Sequence, residues 1–174
     1  MGDERPEPFD VVVEVPKGSR NKYEWDAEQR VMRLDRQLFT ATRYPTDYGF
    51  ISATCGEDGD PLDALVILDE PTFPGCHIRC RAVGVLHMSD EHGADAKILA
   101  VPDDDPRMEW RELEQVPPHV LDEIRHFFDI YKDLEPGKVS QVGEWEGREN
   151  AQREVSDALQ RFAASSGVRD AAGG

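Results

Sequence analysis

The sequence predicts an α+β fold that is mainly β, in which a small barrel precedes two C-terminal helices. The first two-thirds of the chain contain short β-type segments separated by frequent turns, the pattern of a small barrel. The last third changes to apolar residues at helical spacing. No repeat and no linker divides the chain, so we expect both parts to belong to one domain.

The predicted strands are short and are bounded by polar segments. Residues 62–68 form an apolar run between aspartates, which predicts a strand buried on both faces. Residues 16–22 and 26–30 are predicted turns, and residues 89–95 are a predicted loop. The predicted strands are 9–15, 23–25, 31–34, 48–52, 62–68, 78–88 and 96–101.

Two helices are predicted in the last third. Pro117 and Pro118 stand where helices often begin, and Gly137 follows as a stop. Apolar residues between these points recur at helical spacing and form one stripe. The stripe consists of Val120, Leu121, Ile124, Phe127, Phe128 and Tyr131. A second helix is predicted from about residue 147 to residue 162.

These elements set the predicted domain limits. Residues 1–8 are acidic and contain proline, and we interpret them as a flexible leader. Residues 9–164 are predicted to form a single domain, a size that supports one core. The Ala-, Ser- and Gly-rich residues 165–174 are a predicted disordered tail.

The composition excludes several classes of protein. A net charge of -16 argues against nucleic-acid binding and against docking on anionic lipid. No stretch of 18 apolar residues is present, and the N-terminus lacks the pattern of a secretory signal. The three cysteines, Cys55, Cys76 and Cys80, are most simply explained as reduced thiols. We therefore predict a cytoplasmic protein.

The most informative segment is Asp58-Gly59-Asp60-Pro61-Leu62-Asp63, a turn that enters a predicted buried strand. Three carboxylates so close together repel one another. Carboxylate oxygens are ligands that hard cations prefer, so a bound cation would relieve this repulsion. A solvated acidic turn is the alternative, because aspartate is common in turns. An EF-hand does not fit, because that loop needs Gly at its sixth position and Glu at its twelfth, where Asp63 and Asp69 stand.

A second acidic group follows in the loop at the end of the 78–88 strand. It consists of Asp90, Glu91 and Asp95, and Lys97 stands two positions after Asp95. Residues two apart in a strand point to the same face, so this carboxylate and this ammonium can hold a metal and a phosphate side by side. The alternative is an ordinary charged hairpin loop.

Basic residues form a third group in an otherwise acidic chain. They are Lys17, Arg20, Lys22, Arg36, Arg43, Lys132 and Lys138. Basic side chains beside a glycine turn can bind phosphate, although each one taken alone could be an ordinary surface charge. The sequence has no Gly-x-x-x-x-Gly-Lys-Ser/Thr loop, which argues against a P-loop nucleotide hydrolase.

Taken together, these motifs resemble the soluble family I inorganic pyrophosphatases of the bacterial type. The segment from Asp58 to Asp63 matches the signature hexapeptide of that family, and the match is highly specific. The other matching segments run in family order over roughly residues 9 to 147. They are 14–24, 35–36, 44–49, 90–97 and 131–135.

The resemblance implies a fold, an activity and a cofactor. The fold is a five-stranded OB-like closed barrel with two flanking helices. The activity is the hydrolysis of inorganic pyrophosphate to two phosphates by metal-activated water, which keeps phosphate-releasing reactions moving forward. The cofactor is Mg²⁺, with several ions per active site and Mn²⁺ or Zn²⁺ as substitutes. Bacterial relatives are commonly homohexamers, and the resemblance implies a homo-oligomer here.

The resemblance also implies a role for each site residue. Asp58, Asp63 and Asp95 hold one ion, and Asp63 is shared with a second. Asp90 and Asp95 hold a further ion linked to the substrate, while Glu24 contacts another through water. Asp60 accepts a proton from the nucleophilic water. The expected phosphate-binding residues are Lys22, Arg36, Tyr48, Lys97, Tyr131 and Lys132, with Glu14 and Lys138 supporting them.

Two other functions stay open at the level of sequence. A cation-binding barrel without turnover would explain the acidic residues, but it has no need of Lys22, Arg36, Lys97 and Lys132. A hydrolase of nucleoside polyphosphates would use the same groups. The lack of an evident base-stacking motif argues against it.

Overall fold

The computed structural model describes residues 7–172, with the backbone alone described for residues 168–172. The predicted leader therefore lies largely outside the described residues, as do residues 173–174 of the predicted tail. Each predicted strand is present, and two further strands appear. The strands are β1 Phe9–Val15, β2 Asn21–Asp26, β3 Val31–Gln37, β4 Asp47–Ile51, β5 Asp63–Val66, β6 His77–Asp90, β7 Gly93–Ala94, β8 Lys97–Pro102 and β9 Ser140–Gly147.

Five of the strands close into a ring. The order is β1–β4–β5–β8–β6, and the first residues of β6 pair back with β1. Strand β6 is long enough to do both, because residues 77–80 pair with β1 while residues 80–86 pair with β8. This arrangement confirms the five-stranded OB-like closed barrel. Strands β2 and β3 form a separate hairpin.

The barrel strands β5 and β8 are buried on both faces, as the apolar run at residues 62–68 predicted for the first of them. Leu65 and Leu99 belong to one buried cluster, together with residues of the first helix. Their neighbours Ala64 and Ile98 belong to a second cluster, together with residues of the last helix. Successive side chains of a strand point to opposite faces, so each helix covers its own side of the sheet.

Helix α1 spans Pro118–Ile130 and starts at the predicted proline. Ile124, Phe127 and Phe128 are buried, because the apolar stripe packs on the sheet. The helix ends directly before Tyr131, whose N–H donates to the Phe127 carbonyl at 2.9 Å. The end of the helix therefore fixes the positions of Tyr131 and Lys132.

Helix α2 spans Arg148–Ala172, which is longer than predicted. The backbone of residues 165–172 is helical, where the sequence analysis expected a disordered tail. Alanine has the highest helix propensity, and the alanine pairs at 163–164 and 171–172 favour continuation of the helix. None of the helices within residues 7–172 is both long and apolar enough to span a bilayer.

Strand β9 was not predicted from the sequence, because its alternation of apolar and polar residues is interrupted. Leu86 pairs with Trp145 and Met88 with Val142, so β9 contains an irregularity between these two partners. Gly143 lies at that point, and a Cβ there would stand 2.9 Å from the His87 carbonyl oxygen. A bulge with glycine interrupts the alternation of apolar and polar residues on which strand prediction depends.

Candidate active site

All of the predicted site residues line one cleft of about 560 Å³. They come from the strands β1 to β5, the loop between β4 and β5, the end of β6 with its connection to β8, the start of β8, and the segment after α1. Two acidic loops that are far apart in sequence therefore face the same space. The predicted residues in the lining are Glu14, Lys22, Glu24, Arg36, Tyr48, Asp58, Asp60, Asp63, Asp90, Asp95, Lys97, Tyr131, Lys132 and Lys138.

Strand pairing brings Asp63 next to Lys97. Strands β5 and β8 are parallel neighbours, and Asp63 and Lys97 are partners in their register. Lys97 Nζ donates to Asp63 Oδ2 at 2.9 Å and to Asp95 Oδ2 at 3.0 Å. It also donates to the Tyr48 hydroxyl at 3.2 Å. One ammonium thus links carboxylates from both acidic loops.

Lys97 is buried, with 1% of its surface exposed. A buried charge needs compensation. The two carboxylates supply most of it, and Nζ also lies 5.3 Å from the ring centroids of both Tyr48 and Phe128. Burial opposes the charge, but the Asp63 carboxylate, Tyr48 and the Asp95 carboxylate outweigh burial and hold the pKa of Lys97 above its ordinary value.

Burial also alters the pKa of neighbouring groups. It raises the pKa of Asp95, although the Lys97 ammonium acts in the opposite direction. It raises the pKa of Tyr131 to about 12, so this hydroxyl stays protonated at neutral pH and can donate a hydrogen bond. Burial likewise raises the pKa of Tyr48. The floor of the cleft therefore presents two neutral hydroxyl donors beside a cation.

The β2–β3 hairpin carries basic groups on the opposite wall. Lys22 and Arg36 are partners in its register, which places two cations side by side. Lys22 Nζ lies 3.3 Å from Asp35 Oδ2, and Arg36 also donates to Asp35. Arg36 Nε lies 2.7 Å from Oε1 of Glu135, whose side chain is 3% exposed. The Arg36 guanidinium is therefore anchored by acids on two sides.

Glu14 joins the hairpin to the barrel. Its carboxylate accepts a hydrogen bond from the backbone N–H of Trp25 at 2.8 Å. Burial raises the pKa of Glu14 to about 7, with the Asp63 carboxylate adding to the effect and the Trp25 hydrogen bond opposing it. Glu14 is therefore a carboxyl group that titrates near neutral pH in the cation-free protein.

The loop between Ile51 and Leu62 positions Asp58 and Asp60. Thr54 closes its base, since its Oγ1 donates to the Ile51 carbonyl at 2.6 Å and accepts from the Leu62 N–H at 3.0 Å. At the tip, the Asp60 N–H donates to Asp58 Oδ1 at 3.0 Å. Asp60 is exposed to the cleft, and partial burial with the nearby Asp58 and Glu24 carboxylates raises its pKa.

The carboxylates of the cleft are suitable ligands for divalent cations, although they are not already arranged around one ion. Among residues 7–172, no three carboxylate, histidine or cysteine groups are close enough together to hold an ion. Lys97 occupies the point where the Asp63 and Asp95 carboxylates converge. Carboxylate oxygens are the ligands that hard cations such as Mg²⁺ prefer, and nine acidic residues line the cleft. They are Glu14, Glu24, Asp35, Asp58, Asp60, Asp63, Asp90, Glu91 and Asp95.

Two acidic residues that contact the basic groups of the cleft were not among the predicted site residues. Asp35 contacts both Lys22 and Arg36, and its position beside Arg36 was the only available signal. Glu135 contacts Arg36 and lies 3.5 Å from Lys138 Nζ, but nothing local in the sequence marks it as buried. Both were part of the matching segments without an assigned function.

The cleft of this barrel combines carboxylates with basic and hydroxyl side chains, a set of groups that suits metal-assisted hydrolysis of a phosphoric anhydride. Comparison with known proteins identifies the particular family. Residues 11–163 match the family model described as inorganic pyrophosphatase. This match includes both acidic loops, the hairpin and most of the last helix.

Curated relatives with this name are similar over most of their length. The inorganic pyrophosphatase of Streptomyces coelicolor is 60% identical over 155 residues, which cover 88% of this chain and 95% of the relative. That of Methanosarcina acetivorans is 53% identical over 153 residues, 87% of this chain and 90% of the relative. This chain belongs to the inorganic pyrophosphatase family.

Solved structures show the same fold. The inorganic pyrophosphatase of Thermus thermophilus superposes with a TM-score of 0.89 at 45% identity, covering 93% of this chain and 95% of that one. The enzyme of Helicobacter pylori superposes with a TM-score of 0.88 at 38% identity, covering 94% and 98%. This chain therefore shares its overall fold with these two inorganic pyrophosphatases.

Proposed function

We propose that this protein hydrolyses inorganic pyrophosphate to two phosphates with the help of divalent cations, Mg²⁺ in the first place. The observation that supports this most strongly is the convergence of two acidic loops and a basic hairpin on one cleft. Pyrophosphate is strongly anionic, so attack on it by hydroxide is opposed by charge. A site that combines cations with basic side chains removes that opposition.

The acidic residues are assigned to the cations. Asp58, Asp63 and Asp95 hold one ion, with Asp63 shared by a second, and Asp90 with Asp95 holds a third. Glu24 contacts a further ion through water. When bound, such ions neutralise phosphoryl oxygens and lower the pKa of coordinated water, and Mn²⁺ or Zn²⁺ can replace Mg²⁺.

Asp60 is assigned as the group that accepts a proton from the attacking water. It stands at the tip of the loop, exposed to the cleft, with Asp58 beside it. A raised pKa brings a carboxylate closer to the pKa that suits a general base at neutral pH. The backbone hydrogen bond from Asp60 to Asp58 fixes the direction of the loop at this point.

The basic residues are assigned to the two phosphate groups. Lys22, Arg36 and Lys132 donate from the rim, and Lys97 donates from the floor. Tyr48 and Tyr131 add neutral hydroxyl donors that burial keeps protonated. Charge-assisted hydrogen bonds of this kind stabilise the leaving phosphate as its charge grows. Glu14 and Lys138 support the hairpin and the segment after α1.

The test is phosphate release from pyrophosphate and, separately, from ATP, each with Mg²⁺ and with excess chelator. Release from pyrophosphate that disappears with chelator supports the proposal. Release from ATP but not from pyrophosphate would favour a nucleoside polyphosphate hydrolase, and no release would favour a binding module.

Substitution of the assigned aspartates sharpens this test. Asp60→Asn and Asp63→Asn are each expected to lower kcat by at least about 10²-fold, because each removes a group that acts on the reacting water or its cations. Asp157→Asn is the matched control, since Asp157 is an exposed residue of α2 outside the cleft. Wild-type turnover in either cleft variant would refute the role given to that residue.

The assembly and location of the enzyme are also proposals. Cytoplasmic pyrophosphate is the expected substrate pool, and a homo-oligomer, a hexamer by similarity to bacterial enzymes, is the expected form. Light scattering at several protein concentrations measures the mass directly. A mass equal to one chain of 19.6 kDa at all concentrations would refute the oligomer.

A further inference from the structure

Helix α2 contacts the loop of Asp58 and Asp60 through both backbone polar groups of Cys55. The Cys55 N–H donates to the Ala158 carbonyl at 3.0 Å. The Cys55 carbonyl accepts from Arg161 Nη1 at 3.0 Å. Cys55 stands three residues before Asp58, so the start of the acidic loop is bonded to the C-terminal helix.

The hydrogen bond from the Cys55 N–H is a second one for the Ala158 carbonyl oxygen. Ala158 lies inside α2, where its carbonyl oxygen already accepts the intrahelical bond, and its second lone pair accepts the Cys55 N–H. Ala158 is fully buried. Loss of this hydrogen bond would leave the Cys55 N–H without its partner, so the bond holds the loop to this point.

The same helix also packs near the other end of the loop. Leu62, directly before Asp63, is 5% exposed and belongs to one buried cluster with Val155 and Ala158. Arg161 adds a weaker contact, since its Nη2 lies 4.0 Å from Glu57 Oε1. Helix α2 therefore restrains both ends of a loop whose tip carries Asp58 and Asp60.

We propose that Arg161 is a positioning residue for divalent-cation binding, acting through the Cys55 carbonyl. This inference rests on the proposed function of the cleft. The loop carboxylates repel one another, so an unrestrained loop would spread before a cation arrives. A loop already held in place loses less conformational freedom on binding and binds more tightly.

The test compares Arg161→Met with Arg153→Met in the full-length protein. Arg153 lies on the same helix, is exposed, and pairs with Glu149 at 3.7 Å without contacting the loop. Calorimetric titration with Mg²⁺ should show a Kd that is about three- to tenfold higher in Arg161→Met and unchanged in Arg153→Met. At saturating Mg²⁺, kcat of Arg161→Met should stay within about twofold of wild type, because no reacting group is removed.

Hydrogen exchange gives a readout that does not depend on cations. Amides of residues 55–60 should exchange about three- to tenfold faster in Arg161→Met than in wild type or Arg153→Met. Arg161→Lys, which can still donate to the Cys55 carbonyl, should restore part of the difference in both measurements. Glu57→Gln should change neither, since the long Glu57 contact is not the one that holds the loop.

Wild-type Mg²⁺ affinity and loop exchange in Arg161→Met would overturn the inference, even if its melting temperature fell. If Arg161→Met does not fold, Arg161→Lys takes its place, and a loop that is loosened as much in Glu57→Gln as in Arg161→Lys would overturn the inference instead. Failure of the wild-type protein to bind Mg²⁺ or to turn over pyrophosphate would refute the proposed function. Hydrogen exchange would still decide whether Arg161 holds the loop.

Discussion

Replacement of Lys97 by methionine tests whether this lysine balances the carboxylates that are assigned to cations. Lys97 Nζ lies 2.9 Å from Asp63 and 3.0 Å from Asp95, with its side chain 2% exposed. Breaking a buried ion pair from one side costs about 3–5 kcal/mol, because the other charge stays buried without a partner. The two aspartates keep partial contact with solvent, so the lower end, about 3 kcal/mol, applies in the presence of chelator.

The informative quantity is how much stability Lys97→Met loses in chelator compared with Mg²⁺. Bound cations would supply positive charge to Asp63 and Asp95. The fall in the free energy of unfolding caused by Lys97→Met should therefore be less than about half as large in Mg²⁺ as in chelator. For a chain of this size, 3 kcal/mol corresponds to a fall in Tm of roughly 6–12 °C. Urea unfolding and thermal unfolding, each with chelator and with saturating Mg²⁺, measure both values.

Lys17→Met is the matched control, since Lys17 is exposed and lies outside the cleft. It should change the free energy of unfolding by less than about 0.5 kcal/mol under either condition. If Lys97→Met lowers the free energy of unfolding equally in chelator and in Mg²⁺, cations do not reach the carboxylates that Lys97 contacts, and this role of Lys97 is excluded.

Two further predictions concern stability. The pKa of Glu14 is raised to about 7 in the folded protein, so the cation-free protein should lose stability as pH rises from about 4.5 to 7, by about 3 kcal/mol in total. Glu14→Gln should flatten this dependence in urea unfolding with chelator, and identical slopes would contradict the assignment. Gly49→Ala should destabilise the protein by more than about 3 kcal/mol, because a Cβ there would stand 1.9 Å from the Val12 carbonyl oxygen. Gly167→Ala, in an open position of α2, should instead stabilise it by about 0.5–1 kcal/mol, and equal effects of the two changes would refute the packing argument.

The sequence predicted most of the fold because its strands have strong local signals. The apolar run at residues 62–68 and the helical stripe from Val120 to Tyr131 each specify an element by their period. Strand β9 has no such period, since its irregularity at Gly143 breaks the alternation. Helix α2 is longer than predicted because the small and polar residues after residue 162 are also compatible with a helix.

The members of the candidate site were predictable, but the contacts between them were not. Spacing placed Asp95 and Lys97 on one face, and the structure has them in contact. The burial of Lys97 depends on Phe128 and Tyr48, which come from other elements. Glu135 and Arg161 contact their partners across 99 and 106 positions of the chain, distances over which no local pattern carries information.

The decisive measurement is a crystal structure of the protein with Mg²⁺ and a non-hydrolysable diphosphate analogue. We expect cations between the diphosphate and the carboxylates of Asp58, Asp63, Asp90 and Asp95, with Lys22, Arg36, Lys97 and Lys132 on the phosphate oxygens. A diphosphate bound away from this cleft, or bound in it while those aspartates contact no cation, would rule out the proposed site.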